Sequence, residues 1–259
     1  MTQRAYIAVE GPHDVAFAAE LLRPMGLVRV QRFSLLDPYW RKLVPTTYPH
    51  RDDLLARVPI PLFLEGENCS VALHGANGIT EIVNRIEETL VGLITGPRPA
   101  VGVILDADST QTVASRFAEL SPRLGALDLA VPATPGAVSD QDPRCGVFVL
   151  PDNATHGTLE NLLLECGATN YPQLSTAATA YIDSVDTTRL TRADLREIQK
   201  PAGRSKAIVS SVASVLRPGK SIQVSIQDNE WLRGAALALP RVVAVRRFLV
   251  ALLGLPASI

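Results

Sequence analysis

The sequence predicts an α/β fold with a mainly parallel sheet. Two observations carry that reading. Apolar runs of strand length recur along the first 150 residues, and most are followed by a segment with apolar residues at helical spacing. Strands that alternate with amphipathic helices pair in parallel through right-handed crossovers, so helices cover both faces of the sheet.

The first unit is "RAYIAV" (Arg4 to Val9), a buried strand, followed by a tight "EGPH" loop and a helix carrying Val15, Ala18, Leu22 and Met25. Asp14 stands where an N-cap belongs. Residues 28–68 break the pattern. They hold Pro38, Pro45, Pro49, Pro59 and Pro61 around Trp40, which predicts an irregular, proline-rich insertion or lid. "CSVALHGANG" is a second strand running into a Gly/Asn loop, and Ile79, Ile82, Val83, Ile86 and Leu90 mark the next helix. "AVGVIL" is a third strand ending at Asp106, with a helix expected from about Thr110 to Leu120. "ALDLAV" reads as a fourth strand and "GVFVL" as a fifth, the latter leading through "PDNATHG" into a helix with Leu159, Leu162, Leu163 and Cys166. Beyond residue 170 the pattern is mostly helical, clearest in "RADLREIQK", "SKAIVSSVASVL" and "RVVAVRRFLVALLG". The expected organisation is an α/β domain over 1–170 and a helical C-terminal part over 171–259, either a subdomain or the remainder of the same domain.

Composition narrows the class. With 259 residues and 47% apolar content the chain can bury a full core. Cys69, Cys145 and Cys166 show neither CxxC nor paired spacing, so no disulfide framework or zinc site is expected and a reducing, cytoplasmic setting fits. Arg4 and Glu10 interrupt any signal-peptide core, and Arg246 and Arg247 split the most apolar C-terminal run, so no membrane association is expected. The formal net charge of −1 is unevenly spread. From Lys200 onward nine basic residues face only Asp228 and Glu230, giving +7 and leaving −8 for the rest. This asymmetry is compatible with an acidic, cation-binding part facing a basic segment that holds a polyanion such as nucleic acid, and equally with ordinary solvated helix faces.

The acids fall at strand ends. Glu10 follows the first strand, Asp106 and Asp108 follow "VGVIL", and Asp152 follows "VFVLP"; Glu160 lies in the first turn of the next helix. Ligands of open parallel sheets bind outside the carboxyl ends of the strands. Carboxylates one residue apart repel unless a cation or proton stands between them. Mg²⁺, which prefers carboxylate oxygens and accepts phosphate oxygens, answers that repulsion, with Mn²⁺ as substitute. A strand-end Asp also commonly caps a helix or closes an Asx turn, and this duller role is open for Asp106 and Asp152 individually. His13, His50, His74 and His156 are scattered and receive no role.

"VEGPHD" followed by "ILDAD" resembles the Toprim domain of topoisomerases, bacterial primases, RecR and the OLD-type nucleases, and "GVFVLPDNATHGTLENLLL" is similar to a bacterial family of stand-alone Toprim-like proteins of unassigned function. The resemblance covers roughly residues 4–165. It implies a Toprim-like, Rossmann-like fold, with Glu10 as metal ligand or general acid/base, Gly11 as the loop glycine, and Asp106 and Asp108 as Mg²⁺ ligands. Asp152 and Glu160 are the candidates for the additional acid ligand and Lys206 for the catalytic lysine. It further implies a metal-dependent nuclease acting on DNA or RNA, alone, as a homo-oligomer, or with a separate ATPase. "SVLRPGKS" (Ser214 to Ser221) ends like a phosphate-binding loop but lacks the first glycine and a preceding strand. Two other functions stay open. A non-catalytic Toprim-like module would keep the carboxylates only to bind metal or nucleic acid. A haloacid-dehalogenase-type phosphatase would use "DADST" as DxDxT, with Asp106 as nucleophile and Asp108 as general acid.

Overall fold

The computed structural model of the chain describes residues 2–47, 60–76, 78–93, 96–107 and 112–256. Six strands form one sheet in the order β2-β3-β4-β1-β5-β6. β1 (Gln3–Val9), β4 (Cys69–Gly75), β5 (Ala100–Asp106) and β6 (Cys145–Leu150) are mutually parallel, while β2 (Val28–Arg29) and β3 (Leu62–Glu65) extend the β4 edge in antiparallel fashion. The expected α/β class, with helices on both faces of a mostly parallel sheet, is what the chain forms.

Alternation along β1 explains both layers. Ala5, Ile7 and Val9 enter one core with α1 (Pro12–Leu22), α4 (Leu159–Asn170), α7 (Gly203–Leu216) and α9 (Pro240–Leu253). Tyr6 and Ala8 enter the other, with α2 (Ile79–Gly92) and α3 (Val113–Gly125). A strand buried on both faces reads as a continuous apolar run, which is why β1, β4, β5 and β6 stand out in the sequence. The remaining helices, α5 (Pro172–Asp183), α6 (Arg192–Ile198) and α8 (Ile222–Asp228), belong to the C-terminal part. That part shares the first core: Ile208, Val209, Ile226, Trp231 and Leu249 pack in the same cluster as Ile7 and Leu162. Helix α9 crosses β1, β5 and β6 so closely that a side chain at Gly102 would collide with Leu252.

Three expectations are corrected. "ALDLAV" is not a strand: α3 continues to Gly125, Asp128 turns the chain at φ 57°, and Leu129 is buried in the second core from an irregular segment. Asp14 is not the N-cap of α1; Gly11 is, and Asp14 sits at the third helical position, its carboxylate accepting the Gly11 N–H at 3.0 Å. The described part of the 28–68 insertion is not a detached lid. It supplies β2 and β3, and buries Trp40 against the sheet with its indole N–H donating to Ser70 Oγ at 2.8 Å. Residues 48–59, with Pro49, Pro59 and His50, lie outside the described residues.

Among the described residues no helix is long and apolar enough to cross a membrane. All three cysteines are buried and free.

Candidate functional site

Among the parallel strands the order β4-β1-β5-β6 reverses direction between β1 and β5, so the loops after these two strands lead to opposite sides and leave a crevice between them. Register brings the acids to that crevice. Val9 pairs with Ile104, which sets Glu10 one step past the end of β1 beside the last residues of β5. The Asp106 N–H then donates to Glu10 Oε1 at 2.8 Å. Residues 96 positions apart meet at the switch point.

Two helices aim their first turns at the same place. α1 starts directly after Glu10 and carries Asp14, which is buried. α4 starts at Leu159, whose N–H donates to Asp106 Oδ1 at 2.9 Å, so Asp106 also caps this helix. Glu160 follows, buried, with Oε2 accepting the Thr158 hydroxyl at 2.7 Å. Glu10, Asp14, Asp106 and Glu160 therefore form one acidic group at the carboxyl end of the sheet.

Their electrostatics follow from proximity and burial. Burial pushes the Asp14 carboxyl up to about 7, reinforced by the charges of Glu10 and Glu160 and opposed by the hydrogen bond from the Gly11 N–H. Burial also lifts Asp106 well above the usual carboxylate range, helped by Asp14, Glu10 and Glu160 and opposed by the Leu159 N–H. Because the folded state holds these protons more tightly than the unfolded chain, both groups favour the metal-free fold at low pH, and the contribution of Asp14 is lost as pH rises from about 4 towards 7. Thermal unfolding of metal-free protein should therefore show a higher midpoint at pH 5 than at pH 8, and Asp14→Asn should flatten that difference. A midpoint at pH 8 equal to or above that at pH 5 would contradict the coupling.

The structure brings some expected residues together and separates others. Glu10, Asp106 and Glu160 converge. Asp108 lies outside the described residues. Gly11 is extended, at φ −155°, a conformation open to any residue, and a Cβ there would make only ordinary contact with Asp14. Asp152 follows edge strand β6, whose Leu150 pairs with Asp106, but its carboxylate is engaged by other groups. Its Oδ1 accepts the N–H groups of Ala154 and Thr155, at 3.0 and 2.7 Å, and its Oδ2 accepts Arg241 Nε at 2.9 Å. Burial opposes its ionisation, but the hydrogen bonds from Thr155, Ala154 and Arg241 prevail and hold its carboxyl below the usual value. Asp152 is thus an Asx-turn residue that ties β6 to α9.

Lys206 is exposed on α7, and its charge is felt at His13, the residue before Asp14. Burial lowers the His13 pKa; the charge of Glu160 acts to raise it and that of Lys206 to lower it further. His13 and Asp14 are the residues the sequence reading left without a role at the site. The available signal was the Glu10/Asp14 spacing of four across a strand-to-helix turn. Asp228 and Glu230, which a dehalogenase-type site would need at a strand end, lie instead on α8 and just after it, paired with Arg217 and Arg233. Ser221 of the rejected phosphate-loop motif caps α8.

The donor set suits a hard divalent cation by its chemistry: carboxylate oxygens in a partly desolvated crevice whose like charges a cation would neutralise. Among the described residues, no group of three or more His, Cys, Asp or Glu side chains is arranged to hold a metal ion.

These features define an α/β protein with an acidic crevice at its topological switch point. A family model described as "Protein of unknown function (DUF3226)" matches residues 4–248, and the chain belongs to that family. Comparison with curated proteins gave no match. Among solved structures, the crystal structure of a hypothetical protein from Pyrococcus horikoshii OT3 is similar at a TM-score of 0.51 and 18% identity, covering 98% of each chain, which supports the fold alone.

Proposed function

We propose that this protein is a Mg²⁺-dependent nuclease, or a related phosphodiester phosphotransfer enzyme, acting on nucleic acid. The observation that carries the reading is the meeting of Glu10 and Asp106, through the 2.8 Å hydrogen bond, beside the buried Asp14 and Glu160. In this reading Glu10, Asp106 and Asp108 would hold Mg²⁺ or Mn²⁺, and the ion supplies Lewis-acid polarisation of a phosphoryl oxygen. The chain's own groups do the rest. The Leu159 N–H and Thr158 hydroxyl orient Asp106 and Glu160. Lys206 sets a positive charge near His13 at the rim, where it favours negative charge developing on a phosphate. The uneven charge of the chain, +7 from Lys200 onward, agrees with a polyanionic substrate.

The resemblance of "VEGPHD" and "ILDAD" to the Toprim pattern supports the same reading. The test is direct: purified protein should cut DNA or RNA with Mg²⁺ or Mn²⁺ and stop with a chelator, and Mn²⁺-soaked crystals should show anomalous density between Glu10 and Asp106. A non-catalytic metal- or nucleic-acid-binding module is the second reading, favoured by the helix-capping duty of Asp106. Calorimetric Mg²⁺ binding with no cleavage of any polynucleotide would select it. Hydrolysis of a small phosphomonoester would instead revive the phosphatase reading.

A further inference from the structure

Beside the acidic rim, at the carboxyl end of β4, lies a cavity of about 360 Å³. Its floor is Pro12 and Gly75, the residues that abut the Glu10–Gly11 loop: a Cβ on Gly75 would lie 3.4 Å from the Gly11 carbonyl carbon, and the Gly78 N–H donates to the Glu10 carbonyl at 3.1 Å. One wall is apolar, from Val15, Ile60 and Leu62. The lining also includes Gln223 and Gln227, four residues apart and so on one face of α8. Arg29 of the short edge strand β2, exposed to solvent, lines it as well.

We infer that this groove seats one unstacked nucleotide of a single-stranded nucleic acid, next to the phosphate that the acidic rim would handle; the inference rests on the nuclease reading for that phosphate. Its size lies at the small end of ligand pockets, which run from about 300 to 1,000 Å³, and suits one nucleotide unit. Three kinds of lining group match parts of such a ligand. The apolar wall takes the face of a base, which every base presents. The two glutamine amides offer donors and acceptors to its edge. Arg29 meets a backbone phosphate in bidentate fashion. The insertion and α8, which both also contribute core residues, share this lining beside the switch point.

The probes are fluorescein-labelled single-stranded DNA and RNA 12-mers and the corresponding DNA duplex, followed by anisotropy with Ca²⁺ in place of Mg²⁺. Wild type should bind a single strand more tightly than duplex. Arg29→Ala should weaken single-strand binding by about 5- to 20-fold and reduce the salt slope by about one unit, as loss of one phosphate contact does. Gln223→Ala/Gln227→Ala should weaken it by about 3- to 10-fold with an unchanged salt slope. All three residues are surface-accessible, and unchanged circular dichroism and Mg²⁺ calorimetry would show that fold and rim are intact. DNA preferred over RNA, or the reverse, identifies the source of the nucleotide. Wild-type affinity in both variants, or equal affinity for duplex, overturns the groove even if cleavage is observed. Loss of binding in these variants without cleavage by wild type would retain the groove and discard the nuclease.

Discussion

Asp106→Asn should abolish metal-dependent cleavage while raising the stability of the metal-free protein. The substitution keeps the shape of the side chain, and the amide oxygen can still accept the Leu159 N–H that Asp106 Oδ1 accepts at 2.9 Å. The cap on α4 therefore survives. What disappears is a negative charge that burial and the neighbouring Asp14, Glu10 and Glu160 all oppose. Without metal, removing that charge relieves repulsion, so the unfolding midpoint at pH 8 should rise. With Mg²⁺ the same loss is costly: binding seen by calorimetry should disappear, and cleavage should fall by at least about a hundredfold, the scale on which one electrostatic stabiliser acts. Asp106→Ala separates the two roles, because it also loses the cap and should be about 0.5–2 kcal/mol less stable than Asp106→Asn. Undiminished cutting by Asp106→Asn would end the nuclease reading. A lowered midpoint in metal-free buffer would show that the charge is already compensated within the protein.

The parts of this site that are legible in the sequence are those set by local pattern. The continuous apolar runs of β1 and β5, each ending in an acid, place Glu10 and Asp106 at strand ends, and the order of a parallel sheet then brings them together. The same rule says nothing about what claims Asp152, because a strand end does not reveal the partners that later segments supply. β6 is the edge strand, and the partner that claims Asp152 is Arg241, 89 residues later. Asp14 fails for the opposite reason. Its local role next to Gly11 is real, but the turn that makes it a helix-start residue also points it at Glu160 and Asp106, which only the packing of α4 against the sheet reveals. β2 and β3 were illegible because two- and four-residue strands among prolines have too few residues to show a period, and their pairing comes from β4. "ALDLAV" had the converse fault: apolar residues needed under the sheet imitate a strand when Leu129 supplies core from a turn.

Whether the C-terminal third is an attached subdomain or part of the core has a thermodynamic answer, and Trp231→Ala reads it. Trp231 is 1% exposed and sits in the loop after α8. Its indole N–H donates to Ser225 Oγ at 3.0 Å, its ring meets Tyr171 edge-on at 6.0 Å, and Gly167 of α4 lies so close that a Cβ there would be 3.1 Å from the ring. The loop is pinned to the end of α4 from both directions, with the Glu230 N–H donating to Tyr171 Oη at 2.6 Å and Asn170 Nδ2 donating to the Arg233 carbonyl at 2.9 Å. Truncation leaves a cavity between α8 and α4 and should cost about 3–5 kcal/mol. At the scale of about 2–4 °C per kcal/mol for a chain of this size class, the midpoint should drop by roughly 6–20 °C. Because Trp231 shares a cluster with Ile7, Phe148 and Leu162, that drop should appear in one cooperative transition, and the rim should loosen with it, since α4 carries Glu160 and α7 carries Lys206. Two separate transitions, only the earlier one displaced by the substitution, would instead show that the helical third folds as its own unit and that Lys206 and the α8 glutamines reach the acidic crevice only across an interface.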